Sequence, residues 1–264
     1  MAAFQLCRSP LDAFSIGLFL AVVLSLSGCV TTVTGNNIEE ASEDARVKAQ
    51  IDLARGYLAK NSYQSARRPL DKALEINSRS VEANVLKAII HQREEEIDLA
   101  EKHYKLALKY EPNNAQALNN YGGFLYSQGR LKAAVVPLRK AVKDTGYAAR
   151  SQAFVNLGLV EASLDNTEAA RSAFERSLML NTKQTRSHLE LADIYFTSGN
   201  VMRAADHYGL FRSGERQTAR SLCLGVRIAT ALELPDEQSS LRLALKNLYP
   251  GSAEAKNCER ESGV

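Results

Sequence analysis

Tryptophan is absent from the 264-residue sequence, and histidine and cysteine occur only four times each. The histidines, at 91, 103, 188 and 207, stand at least 12 residues apart, so no HExxH pair forms. No CxxC and no Ser/His/Asp constellation with a supporting context is present either. Glycine-rich dinucleotide and P-loop patterns are also missing. These gaps leave no catalytic centre, metal or cofactor to assign, and the chain reads as a non-enzyme. His91 is read as a packing residue and Glu94-Glu95-Glu96 as a solvated corner. Charge of one sign is lacking as well: 33 Lys and Arg face 30 Asp and Glu, net charge is +3, and the signs are mixed throughout. The clustered basic face of a nucleic-acid binder does not appear. The apolar run at 13–27 is 15 residues long, short of the roughly 20 needed to span a bilayer. Downstream, no turn-bounded strand alternation occurs.

What is there begins with that apolar run. It has the length of a signal-peptide core and ends in Leu26-Ser27-Gly28-Cys29, which resembles the bacterial lipobox. The resemblance implies cleavage ahead of Cys29 and lipid on that cysteine, with residues 1–28 as signal peptide and 29–40 as a polar, lipid-anchored tether. Ahead of the run only Arg8 supplies positive charge, partly offset by Asp12. Val30 rather than Asp after the cysteine implies retention at the outer membrane, where several acyl chains hold firmly at about 0.8 kcal/mol per buried methylene. Cys7 leaves with the signal. Cys223 and Cys258 remain in an oxidising compartment, and two readings stay open: a disulfide between them, or Cys223 as a small buried apolar residue.

From about residue 41 the pattern becomes helical and repeats. Leu53-Ala54, Lys87-Ala88, Tyr121-Gly122, Leu157-Gly158 and Leu191-Ala192 recur at spacings of 34, 34, 36 and 34 residues. Twelve residues beyond each small residue stands Ala66, Ala100, Ala134, Ala170 or Ala204. Tyr104, Leu138, Phe174 and Tyr208 follow in four of the units. This is the tetratricopeptide pattern, in which two antiparallel helices cross at the small residues and hairpins stack because none can bury its apolar face alone. The fold class is therefore all-α, a tetratricopeptide-repeat superhelix of about six helix-turn-helix units over 41–252. The units fall at about 47–80, 81–114, 115–150, 151–184, 185–218 and, degenerate and poor in phase, 219–252; a C-terminal tail at 253–264 follows. The third unit is two residues longer than the others, with the excess in the linker to the fourth at Thr145 to Arg150.

The stretch from Asn119 to Tyr126 carries two adjacent glycines inside a helix, each costing about 1 kcal/mol relative to alanine. Gly122 is the eighth residue of its unit, where the paired helix crosses. Gly123 is the ninth and faces the concave groove, where no crossing requires it, so it is read as keeping the groove floor open. The first helices of such an array line that groove. The candidate partner-binding residues are Ile51 and Arg55 in the first unit, and Val85, Ile89 and Gln92 in the second. The third supplies Asn119, Asn120, Gly123 and Tyr126, and the fourth Val155, Asn156 and Leu159. So read, the groove is largely apolar, interrupted by Asn120 and Asn156, and suits an extended or helical peptide. The cations of a carboxylate clamp are lacking: position 2 holds Lys48, Glu82, Gln116 and Gln152, and position 6 holds Asp52, Leu86, Asn120 and Asn156.

Leu118 to Tyr126, Phe154 to Val160, Ala219 to Ala229 and Leu248 to Ser252, together with the lipobox, resemble the PilW/PilF-type pilotins, the type IV pilus biogenesis and stability lipoproteins. The likeness covers nearly the whole mature chain. It implies binding of the pilus secretin, promotion of its outer-membrane localisation and multimer assembly, and transit by the lipoprotein-sorting machinery, with no cofactor and no nucleic acid. A general envelope scaffold, for outer-membrane protein assembly or wall-hydrolase regulation, stays open as the alternative.

Overall fold

The computed structural model describes residues 42–261, which form thirteen helices and, among the described residues, no strand. Six antiparallel hairpins succeed one another. They are α1 (Glu43–Ala59) with α2 (Tyr63–Ile76), α3 (Val81–Arg93) with α4 (Ile97–Tyr110), and α5 (Ala115–Ser127) with α6 (Leu131–Ala141). Then come α7 (Arg150–Ser163) with α8 (Thr167–Leu180), α9 (Thr185–Thr197) with α10 (Val201–Arg212), and α11 (Ala219–Ala231) with α12 (Pro235–Leu248). A last helix, α13 (Ala253–Glu261), closes the series. The signal peptide, the tether and Cys29 lie outside the described residues. No helix among the described residues is long and apolar enough to cross a membrane.

The small-residue pattern works as its spacing requires. Ala54, Ala88 and Ala192, and across from them Ala66, Ala100, Ala134, Ala170 and Ala204, have no exposed surface. A Cβ on Gly122 would sit 2.5 Å from Leu138 Cγ, and one on Gly158 2.6 Å from Phe174 Cε1, so both positions are closed to any side chain. Between units, Tyr208 reaches into the space that Gly225 of the next unit leaves empty.

The turns share one geometry. Asn61, Glu95, Gly129, Asp165, Gly199 and Glu233, each the fifteenth residue of its unit, all have positive φ, between 54° and 82°. The following N–H donates to the carbonyl five residues back in each case: Ser62 to Tyr57, Glu96 to His91, Arg130 to Leu125, Asn166 to Glu161, Asn200 to Tyr195 and Leu234 to Ala229, at 2.8–2.9 Å. This left-handed closure satisfies the last carbonyls of each first helix. The sixth unit, out of phase by its side chains, turns at Glu233 like the others. Its sequence hides the register because Gln238 and Arg242 stand where the other units carry alanine and an aromatic or leucine.

The C-terminal tail also has more structure than its composition suggests. Helix α13 buries Ala255 and Cys258 against Leu222, Val226, Leu241 and Leu245, covering the end of the array as a terminal cap does. Cys258 Sγ lies 3.7 Å from the Cys223 carbonyl oxygen, which places the two cysteines side by side at the end of the array.

Candidate partner-binding groove

The first helices do line one face, but four of the twelve candidate residues are buried rather than presented. Ile51 packs with Ala83 and Leu86, Val85 with Ala117 and Leu118, and Val155 with Leu189 and Leu191. Each stands at the fifth position of its unit and meets the first helix of the next. That position is therefore largely a seam between units: Val155 is corrected from groove lining to core, while Ile51 and Val85, though nearly closed off, still edge a second pocket of about 480 Å³ with Lys48, Glu82 and Gln116. Asn119, at the same position and 6% exposed, is the polar exception. Arg55 is exposed and forms an ion pair with Glu82 of the second unit.

The remaining candidates divide. Ile89, Gln92, Asn120, Gly123 and Asn156, with Asn119, surround a pocket of about 490 Å³ over Tyr104 and Phe124, with Arg93 and Glu95 at its edge. Tyr126 and Leu159 are half-buried beyond it; the Tyr126 hydroxyl lies 3.4 Å from Ser163 Oγ. A Cβ on Gly123 would meet nothing within 4 Å, whereas its neighbour Gly122 has no room at all. The two glycines thus separate into one buried under a helix and one open to the groove.

The lining is more amide than apolar, against the expectation from the sequence. Gln184 Nε2 donates to Gln152 Oε1 at 3.1 Å, Gln152 Nε2 to Asn156 Oδ1 at 3.2 Å, and Asn156 Nδ2 to Asn119 Oδ1 at 2.9 Å. Asn119 in turn faces Tyr147, whose phenol is pushed up by burial and pulled partly back by that amide. Tyr147 comes from the two-residue enlargement of the third unit and packs against its core. The sequence marked the insertion as a linker; an aromatic residue inside it was the available signal that it reaches back. Gln184, the last residue of the fourth unit, was not among the groove candidates, and Gln152 entered only as a second-position site lacking the cation of a carboxylate clamp.

Beneath the pocket, Tyr104, Tyr121 and Phe124 form an aromatic cluster with centroids 5.4–6.2 Å apart. The Tyr121 hydroxyl donates to Glu101 at 3.0 Å. Glu101 also accepts from Arg130 and Lys105, and these bonds hold its carboxyl down at about 2. Burial, then Glu101, pushes the Tyr121 phenol up to about 12. This ties the second and third hairpins together under the groove floor.

Farther along, the same face is ionic. Glu190 is buried and accepts from Arg220 at 2.8 Å and 2.9 Å and from Arg186 at 2.7 Å, while Arg220 also reaches Asp193 at 2.7 Å. Arg227 lies over the Phe196 ring at 4.7 Å. At the turn of the second unit, His91, Glu94 and Glu96 bring potential metal-ligating atoms within 4.8 Å of one another. Their cation is already supplied: Arg67 pairs with Glu94 and with Glu96, and His91 Nδ1 is 2.5 Å from Glu96. The cluster is a latch between the first and second hairpins. His91 stacks on His103, and His188 Nδ1 lies 2.9 Å from His207 Nδ1, so all four histidines pack between paired helices.

Six hairpins of this geometry define a tetratricopeptide-repeat protein, and tetratricopeptide-repeat profiles match residues 85–149 and 151–184. The chain is 40% identical over 245 residues to the type IV pilus assembly protein PilF of Pseudomonas aeruginosa, covering 92% of this chain and 97% of that one. The solved structure of that PilF superposes with a TM-score of 0.81 at 42% identity, over 83% of this chain and 99% of the other. PilW, a widely conserved type IV pilus biogenesis factor, superposes with a TM-score of 0.70 at 26% identity, over 80% and 97%. The chain belongs to the PilF/PilW family of type IV pilus biogenesis proteins.

Proposed function

We propose that the protein is a pilotin that binds the pilus secretin and promotes its localisation and multimer assembly at the outer membrane by protein–protein contact alone. The observation that carries this is the similarity to PilF along nearly the full length of both chains. The groove supports it: an open pocket flanked by amides offers hydrogen bonds to a polypeptide and no arrangement for bond-breaking chemistry. Lipid on Cys29, read from the Leu26-to-Cys29 lipobox, holds the protein on the periplasmic face of the outer membrane, reached through the lipoprotein-sorting machinery.

Deleting the gene tests the reading. Secretin multimers in the outer membrane and surface pili should both fall steeply, and Cys29→Ala should leave the protein in the soluble periplasmic fraction. Normal multimers and pili in the deletion strain would rule the proposal out.

A further inference from the structure

We infer that the outer face of the second helices in units one to three rests on an anionic phospholipid surface, which turns the groove away from the membrane. The inference rests on the lipid-anchor reading for its setting.

Signs that mix along the sequence separate on the folded array. Units one to three, 47–150, hold 18 Lys and Arg against 11 Asp and Glu, whereas units four to six, 151–252, hold 11 of each. The excess has a definite place. In α2, α4 and α6 the residues at positions 20, 24 and 27 of the unit are buried, as Ala66, Leu70 and Ala73 are in the first. At 3.6 residues per turn, positions 22, 26 and 29 fall on the opposite side. There stand Arg68 and Lys72, Lys102 and Lys109, and Lys140 with Lys143 just beyond α6, all exposed, with Glu75 as the one acid. The same positions in units four to six carry one cation, Arg176, and one acid, Asp206.

These cations are not spent internally. None of the six forms an ion pair among the described residues, and Lys140 donates to the Pro112 carbonyl at 3.1 Å. Of the other carboxylates on these helices, Asp71 pairs with Lys87, and Glu101 with Arg130 and Lys105; Asp98 stands at the start of α4. Like charges held side by side repel, and an anionic surface relieves that repulsion.

Three features favour lipid over an acidic protein as the occupant. The tether read at 29–40 leads into α1 at Glu43, so the basic units are the ones beside the anchor. Fully extended, that stretch reaches about 45 Å at most, so the array stays beside the leaflet and meets it as an intramolecular event. Five of the six cations are lysines, point charges on flexible stems that suit a fluid layer of phosphates better than a fixed bidentate site. Val136, 70% exposed, shares the face at position 22 and gives it an apolar contact.

The test uses the full mature chain with Cys29→Ala, which carries no acyl chain, and vesicles of phosphatidylcholine with or without phosphatidylglycerol. Co-sedimentation should require the anionic lipid and weaken more than about tenfold between about 0.05 and 0.5 M salt. Lys102→Glu, Lys109→Glu and Lys140→Glu together should cost at least about tenfold. Lys183→Glu, Arg216→Glu and Lys246→Glu make the same charge change in units four to six and should cost less than about threefold. All six side chains are exposed, so both variants keep the wild-type melting profile. In the acylated wild-type chain on anionic vesicles, Lys102, Lys109 and Lys140 should resist acetylation relative to Lys183 and Lys246. Equal losses in the two triple variants, or equal binding to both vesicle types, overturn the lipid face. So does shielding of those lysines in native membranes without binding to any vesicle, which assigns the face to an acidic protein. Vesicle binding through this face by a chain whose Cys29 proves to carry no lipid upholds the face and removes the anchor reading.

Discussion

The concave faces of units three and four and of units five and six are built on the same repeat positions and differ in every property that matters for a partner. In the former, Asn119, Asn120, Asn156 and Gln152 surround an open pocket, and no position carries charge. In the latter, Glu190 is clamped between Arg186 and Arg220, and the charges are spent on one another. One fold therefore carries an open region without charge and a region whose charges are paired with one another. Solenoid repeats allow this because position sets direction while residue choice sets chemistry.

The sharpest way to break that contrast is at the two glycines. Gly122→Leu drives a side chain into Leu138 and should destabilise by about 3 kcal/mol or more. Gly123→Leu points into open space, should change stability by less than about 1 kcal/mol, and should abolish partner binding. Urea denaturation paired with a secretin pull-down separates the two; equal destabilisation would mean that Gly123 is a packing residue and the pocket incidental.

Salt supplies the next comparison. Asn156→Ala leaves the Asn119 Oδ1 acceptor without its donor in a nearly closed site, at a cost of about 1–2 kcal/mol that salt should not alter. Glu190→Ala strips two arginines of a shared buried carboxylate, with a similar loss of about 1–2 kcal/mol at low salt. Because Arg186 and Arg220 are about half exposed, at 50% and 44%, that loss should shrink in about 1 M salt. Identical salt responses in the two variants would erase the distinction between the regions.

Much of this was legible in the sequence, and the limits have physical causes. Small residues at fixed intervals announce helix crossings because nothing larger fits, so five units and the closed place of Gly122 beside the open one of Gly123 followed from spacing. Groove lining was harder. Ile51, Val85 and Val155 share the orientation of Asn119, and whether that position is solvent-facing or seam depends on how closely neighbouring first helices approach, which no local pattern encodes. The amide run joins Gln184, Gln152, Asn156 and Asn119 across units and so belongs to the superhelix. Helix α13 escaped notice because, among its described side chains, the buried Ala255 and Cys258 give too short a period to read.

A pH comparison divides the molecule differently, since each half holds a histidine pair between its helices. Burial, then the Lys87 charge, pushes His103 down to about 4, and burial, then His188, pushes His207 down as well. A histidine that resists protonation when folded stabilises fully above its unfolded value near 6.5, and the contribution is lost as pH falls toward about 4. For His103, partly open to solvent, the loss should be about 1–2 kcal/mol. It should fade in His103→Gln, measured by denaturation at pH values from about 7.5 to 4. A pH slope unchanged in that variant would place the acid sensitivity elsewhere, with the His188–His207 pair next to test.

The smallest effect bears on whether the closed half ends in a true repeat. Glu95 in the second unit and Glu233 in the sixth both occupy the left-handed turn that Gly129 and Gly199 fill in the third and fifth. A residue with a Cβ is strained there by about 1 kcal/mol relative to glycine, for the same reason that left-handed helices are disfavoured. Both side chains are exposed and no packing depends on them. Glu95→Gly and Glu233→Gly should therefore each raise stability by about 0.5–1 kcal/mol, and Gly129→Glu should lower it by as much. Because Glu233 lies in the unit with the least recognisable sequence, its response is the informative one. A gain equal to that at Glu95 follows only if the sixth hairpin turns in register with the rest; a loss would mean that its turn is held by other forces and that the array proper stops at the fifth unit.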